Sequence, residues 1–208
     1  MLKVASFDIV FQEIPGEVTL ALNLSGCPCH CPGCHSPHLW EDIGEELNAE
    51  LLSGLLDRYG SMITCVAFMG GDQAPEEVAQ WAEYIKSHSC NLSPFPSGVK
   101  SSARSGVRWT AVEHWRCEAS LRTAWYSGRP HLPECLSAQR SVSAAVCTLS
   151  DVIGPFDYIK LGPYIESLGG LKSEKTNQRL YKRVGQGTPE SPYEWQDITS
   201  LFWKNRFE

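Results

Sequence analysis

Positive charge is scarce in this chain of 208 residues: 18 Lys and Arg stand against 24 Asp and Glu. The net charge of −6 and a pI near 5.5 leave no basic surface for gripping a phosphate backbone, so nucleic acid is not an expected partner. Long hydrophobic runs are missing too. No segment approaches the ~18–20 apolar residues of a membrane span, and no membrane partner is expected. The opening residues, MLKVASFDIVFQEIPGEV, break their apolar run with Asp8, Gln12 and Glu13 and do not read as an export signal. A cytoplasmic location is expected. No repeat recurs at any period that would mark a solenoid. What remains, 42% apolar and 20% charged, excludes a disordered or collagen-like chain. The length suits a single domain, 1–208, carrying an inserted segment.

The first half follows a regular grammar. Residues 17–24, EVTLALNL, read as a buried strand that runs into a cysteine-rich loop. Leu47, Leu51, Leu52, Leu55 and Leu56 recur at helical spacing and predict a helix over 44–58. Residues 63–69, ITCVAFM, form a short apolar strand ending at Gly70-Gly71-Asp72. Pro75 then opens a helix to about Ser87, with Glu76 and Glu77 at its positive end. Strand, loop, helix, strand, loop, helix is the order of a parallel α/β sheet. The pattern lapses at 89–120, rich at first in Ser, Pro and Gly, which predicts a disordered or inserted segment. It resumes in the strands LRTAWY (121–126), FDYIKL (156–161) and 179–184, separated by a loose stretch at 130–150 and a helical or irregular link at 164–178. An aromatic segment, 195–203, closes the readable part. Four predicted strands end in loops of unusual composition: 27–34, 70–72, 127–129 and 160–163. In parallel α/β folds such loops build the functional mouth.

Nine cysteines are present, an odd number, and four of them fall within eight residues: Cys27, Cys29, Cys31 and Cys34. The other five are scattered and read as ordinary small buried or loop thiols. Cys27, Cys31 and Cys34 stand in C-x3-C-x2-C spacing. Soft thiolates in a short loop suit an iron–sulfur cluster or zinc. A closed site wants four ligands, yet no second pair follows. Three ligands on a four-iron cube leave one iron open to another group, as catalytic metals keep an open position.

This string, SGCPCHCPGCHSPHLW, resembles the radical S-adenosyl-L-methionine (SAM) enzymes. Together with VTLALNLSGC, FMGGDQAPEE, LRTAWYSGR and FDYIKLGPYIESLGGLKSEKTNQRLYKRV, it is similar to the activating proteins of anaerobic ribonucleoside-triphosphate reductase. The resemblance covers most of residues 7–88 and 121–184. It implies an open partial (β/α) barrel with parallel strands and the active site at their C-terminal ends. It also implies a [4Fe-4S] cluster on Cys27, Cys31 and Cys34, with SAM on the fourth iron. One electron, from a low-potential donor such as flavodoxin or ferredoxin, would cleave the sulfonium. The resulting radical would take a hydrogen atom from a glycine of the partner reductase.

The same resemblance places Gly70, Gly71 and Asp72 at SAM, with Asp where many relatives carry Glu. It brings the backbone of Gly33, Cys34 and His35 against the cofactor and sets Ser127 at a SAM-contacting position. No protein side chain beyond the cluster ligands is assigned a catalytic role. His35 is read as a loop histidine, Trp40 as packing and Cys29 as a thiol outside the ligand set. Lys160 either faces the mouth or is solvated. Two rivals from other classes stand beside this reading: a closed zinc module on the four clustered cysteines, and an electron-transfer iron–sulfur protein. Within the enzyme reading, the alternative is activation of a different glycyl-radical enzyme.

Overall fold

The computed structural model describes residues 1–89, 121–131, 152–186 and 193–203. The expected insertion at 89–120 lies outside the described residues except for its first position. Most of the loose stretch at 130–150 lies outside them as well.

The described strands form one eight-stranded sheet in the order β3-β1-β2-β4-β5-β6-β7-β8. Their spans are β1 Lys3–Val10, β2 Thr19–Leu24, β3 Glu45–Glu46, β4 Cys65–Met69, β5 Arg122–Tyr126, β6 Tyr158–Leu161, β7 Arg179–Gln186 and β8 Tyr193–Asp197. The pairs β2–β4, β4–β5 and β5–β6 are parallel. The pairs β1–β2, β1–β3, β6–β7 and β7–β8 are antiparallel. The expectation of a parallel (β/α) barrel is therefore overturned. The sheet is mixed and open, and α1 (Ala49–Tyr59) and α2 (Pro75–Ser89) are its two long helices among the described residues.

The reason lies in the connections. Parallel neighbours need a long crossover, whereas antiparallel ones are joined by short turns. Residues 11–18 between β1 and β2 are too few for a crossover helix. Between β6 and β7 the chain uses turns and a single bridge, Ile165 to Gly169, instead of a helix. Both connections therefore reverse the chain.

Side-chain alternation divides the sheet into two faces. Leu20, Leu22, Leu24, Val66, Phe68 and Trp125 point to one face and pack with Leu52, Leu55 and Leu56 of α1 and Val78, Ala82 and Ile85 of α2. On the other face, Ala21, Ala67 and Ala124 lie side by side in register. Ile14, Tyr126, Tyr158, Leu180 and Ile198 pack around Ala67 and Ala124 there.

α1 starts later than its leucines suggest. The Asn48 side chain accepts from the Leu51 amide at 2.9 Å and caps the helix. Glu45 and Glu46, expected in that helix, pair instead with Val4 and Lys3. No described helix is long and apolar enough to cross a membrane.

Candidate functional site

The cysteine loop leaves the carboxyl end of β2 and is fixed by its backbone. The Gly26 amide donates to the Glu41 carbonyl at 3.1 Å and the Cys27 amide to the Leu39 carbonyl at 2.9 Å. A 3-10 turn, Pro37–Trp40, supplies the second of those acceptors. From the next strand end, Gln73 donates to the Ser25 carbonyl at 2.8 Å. Within the loop, the Cys34 amide donates to the Cys31 carbonyl. The Ser36 amide donates to Cys34 Sγ at 3.4 Å. Amide donors of this kind stabilise thiolate charge and tune bound clusters. Cys27, Cys29, Cys31 and Cys34 are all free thiols; Cys31 is buried and the others are half-buried.

Asp72 organises the neighbouring strand ends. Its carboxylate is buried and accepts from Ser127 Oγ at 2.5 Å and the Gly128 amide at 2.8 Å. The Cys29 thiol donates to Asp72 Oδ2 at 3.7 Å. Arg129 Nε stands 3.7 Å from Oδ1, and its Nη2 donates to the Asp72 carbonyl at 2.5 Å. Burial first, and then the charge of Asp72 and the proximity of Cys27, push the Cys29 thiol up to about 12. Lys160 is 8% exposed and donates to the carbonyls of Gly162 at 2.7 Å and Ser127 at 3.3 Å. Burial lowers its ammonium to about 8 against the opposing pull of Asp72 and the cysteines. Lys160 thus faces inward and braces the ends of β5 and β6.

The four loops meet at one end of the parallel strands, and several of their groups bond to one another or pack against the core. Ser127 is fully buried; its hydroxyl donates to Asp72 and accepts from the Arg129 amide at 3.0 Å. Gly70 donates to the Tyr126 carbonyl and accepts from Trp125 Nε1. The Gly71 carbonyl accepts from Ala74. A side chain at Gly71 would run into the core beneath the helices. Its Cβ would lie 2.5 Å from Val78 Cγ2 and 2.9 Å from Leu24 Cδ1, inside the core, at a φ of +84°. Gly33 turns beneath Glu166, whose Oε2 would stand 3.0 Å from an added Cβ. His35 meets Tyr164 edge to face at 4.7 Å, and His30 packs against Trp40 at 5.0 Å.

Arg129, Tyr164 and Glu166 were given no role by sequence reasoning. Arg129 follows a strand end in the same loop as Ser127, which is the signal that could have found it. Tyr164 and Glu166 reach the cysteine loop only because the β6–β7 connection folds back over it, and no local pattern announces that.

Residues 15–95 match a family described as a 4Fe-4S single cluster domain, which is found in radical SAM-type proteins. The matched stretch holds β2, the cysteine loop, α1, β4, Gly70-Gly71-Asp72 and α2. No curated protein and no solved structure matches the chain. The donor set fits an iron–sulfur group: soft thiols on one short loop, one of them already accepting a backbone amide. Among the described residues, no three His, Cys, Asp or Glu side chains gather around a point suited to a single metal ion.

Proposed function

We propose that the chain is a radical SAM activase that holds a [4Fe-4S] cluster through Cys27, Cys31 and Cys34 and generates a glycyl radical on an anaerobic ribonucleoside-triphosphate reductase. The observation that carries this reading is convergence. The cysteine loop is tied to the end of β4 through the Cys29–Asp72 bond, and Asp72 in turn is tied to the end of β5 through Ser127, Gly128 and Arg129. When bound, the cluster would supply one low-potential electron for reductive cleavage of the SAM sulfonium. The chain's own part is to hold three thiols on a backbone-fixed loop. Tyr164 and Glu166 cover that loop on one side, and Lys160 braces the strand ends beneath it.

The iron–sulfur centre is the best-supported component. An electron-transfer protein would share it, and one observation favours that second reading. The family match over residues 15–95 describes a 4Fe-4S cluster and nothing further, which an electron carrier satisfies as it stands.

One experiment separates the two. The protein is reconstituted without oxygen, iron and sulfide are counted, and SAM is added with a low-potential reductant. The activase reading expects a changed cluster spectrum, release of methionine and 5′-deoxyadenosine, and a glycyl radical once the reductase is present. An intact, reducible cluster whose spectrum ignores SAM and yields no products leaves the electron carrier.

A further inference from the structure

We infer that Cys29 is a positioning residue: its side chain, seated in the notch left by Gly128 and bonded to Asp72, locks the cysteine loop onto the ends of β4 and β5. Cys27 and Cys31, two residues away on either side, are thereby held in place for the shared group. This role rests on the ligand assignment proposed above.

The geometry is that of a plug and a socket. An added Cβ at Gly128 would lie 2.6 Å from Cys29 Sγ, 3.2 Å from Cys29 Cβ and 3.6 Å from Asp72 Oδ2. Any residue but glycine at position 128 would therefore force the Cys29 sulfur to move. The same carboxylate oxygen, Asp72 Oδ2, takes both the Gly128 amide at 2.8 Å and the Cys29 thiol at 3.7 Å. Three loops from three adjacent parallel strands thus meet at one thiol and one oxygen. The Cys29 side chain is turned into this wall. Gly128 carries no left-handed φ, so replacing it by alanine tests the socket without backbone strain. Sulfur suits the plug because it is large enough to fill the notch and still donates a weak hydrogen bond.

The test is a cycle of four proteins, wild type, Cys29→Ala, Gly128→Ala and the double variant, with Cys29→Ser as the conservative replacement. Each is reconstituted with iron and sulfide without oxygen. Iron content, visible and electron paramagnetic resonance spectra, iron release to a chelator and thermal unfolding of the apoprotein are then measured. Cys29→Ala is expected to bind as much iron as wild type but release it roughly tenfold faster, the scale on which partners of metal ligands alter affinity. Cys29→Ser restores part of the difference because it keeps the donor. Gly128→Ala is expected to be the worse single variant in both release and unfolding. The double variant recovers to the level of Cys29→Ala, since removing the sulfur frees the space. Iron uptake lost in Cys29→Ala as completely as in Cys27→Ala makes Cys29 a ligand and overturns the proposal. Additive single effects, or a neutral Gly128→Ala, overturn it as well. Should wild type take up no iron, the ligand assignment fails, and the unfolding cycle alone decides the lock: non-additivity upholds it and additivity ends it.

Discussion

The two ends of the parallel strands are built on opposite principles. At the amino end, Glu17 is 5% exposed and three side-chain donors are directed at its carboxylate. Arg122 Nη2 donates at 2.8 Å, Tyr158 Oη at 2.6 Å and Thr64 Oγ1 at 2.5 Å, one each from the starts of β5 and β6 and from just before β4. Asp157 repeats the pattern, accepting from Lys86 at 2.8 Å, Arg183 at 3.0 Å and the Thr123 amide at 2.9 Å. At the carboxyl end, the chain places free thiols and left-handed backbone. Gly26, His30, Gly33, Gly70, Gly71 and Gly162 have positive φ there, against Gly16 beside Glu17. One end therefore spends its polar groups on holding strands together. The other keeps soft donors and special conformations, which cost stability and are retained where chemistry needs them.

The sharpest way to break that contrast is to change the thiols. Cys27→Ser and Cys34→Ser are each expected to abolish cluster iron, because each leaves an iron without its thiolate. Apoprotein stability should shift by no more than about 0.5 kcal/mol, as for substitutions away from the packed core. Iron and sulfide counts beside urea unfolding check both halves. Retained iron in either variant would remove that residue from the ligand set.

Next in size is Gly71→Val, which lies at the carboxyl end yet faces the core. The new methyl groups would collide with Val78 and Leu24, and the left-handed φ adds strain. Overpacking of this kind costs about 1–3 kcal/mol, and the backbone roughly 1–2 more. The variant should melt early and lose iron only as a consequence. A stable protein with iron but altered SAM response would instead put Gly71 at the cofactor.

Which parts were legible follows from the same contrast. β2, β4 and α2 were readable within two or three residues, because a buried strand and a capped amphipathic helix write their pattern locally. The cysteine loop was readable because its spacing is itself the chemistry. β1 was missed: with its centre exposed from Ser6 to Asp8, it shows little apolar alternation. The mixed sheet was missed because strand direction depends on the connections, and the βαβ order of the first half does not extend to β1, β7 or β8. Gly71 and Ser127 were placed at a ligand by resemblance; their internal neighbours, Val78 and Leu24 beside Gly71 and Asp72 beside Ser127, are set by three-dimensional packing that no spacing records.

At the amino end, Glu17→Gln should cost about 2–3 kcal/mol at neutral pH, less than the loss of a fully buried pair because Arg122 is half-exposed. Burial pushes the Glu17 carboxyl up, but the bonds from Arg122, Thr64 and Tyr158 outweigh it and hold it below the usual 4.5. A lowered carboxyl contributes its stability above its unfolded value and loses it as pH falls through the folded one. The gap between wild type and variant should therefore close below about pH 4.5, while iron binding at neutral pH is unchanged. A gap equally wide at pH 3 and pH 7 would mean that Glu17 acts through shape and not through charge.

The smallest effect is expected where an ion pair lies beside the cysteine loop. Lys3 Nζ stands 2.8 Å from Asp42 Oδ2, the same distance as Lys86 from Asp157, but the Asp42 side chain is 78% exposed and that of Asp157 only 21%. Water and salt screen the first pair, and exposed pairs contribute about 0–1 kcal/mol. Asp42→Asn is thus expected to shift unfolding by less than about 0.5 kcal/mol and to leave iron release unchanged. Asp157→Asn, which weakens three charge-assisted or amide bonds at once, should cost about 2 kcal/mol. Urea unfolding of both variants at low and high salt makes the comparison. A neutral Asp42→Asn would show that the loop is held by the backbone bonds of Gly26 and Cys27, because those bonds accept on Glu41 and Leu39 and do not involve the carboxylate. Iron lost from Asp42→Asn at low salt, and restored by no other change, would instead make this exposed pair part of what holds the thiols in place.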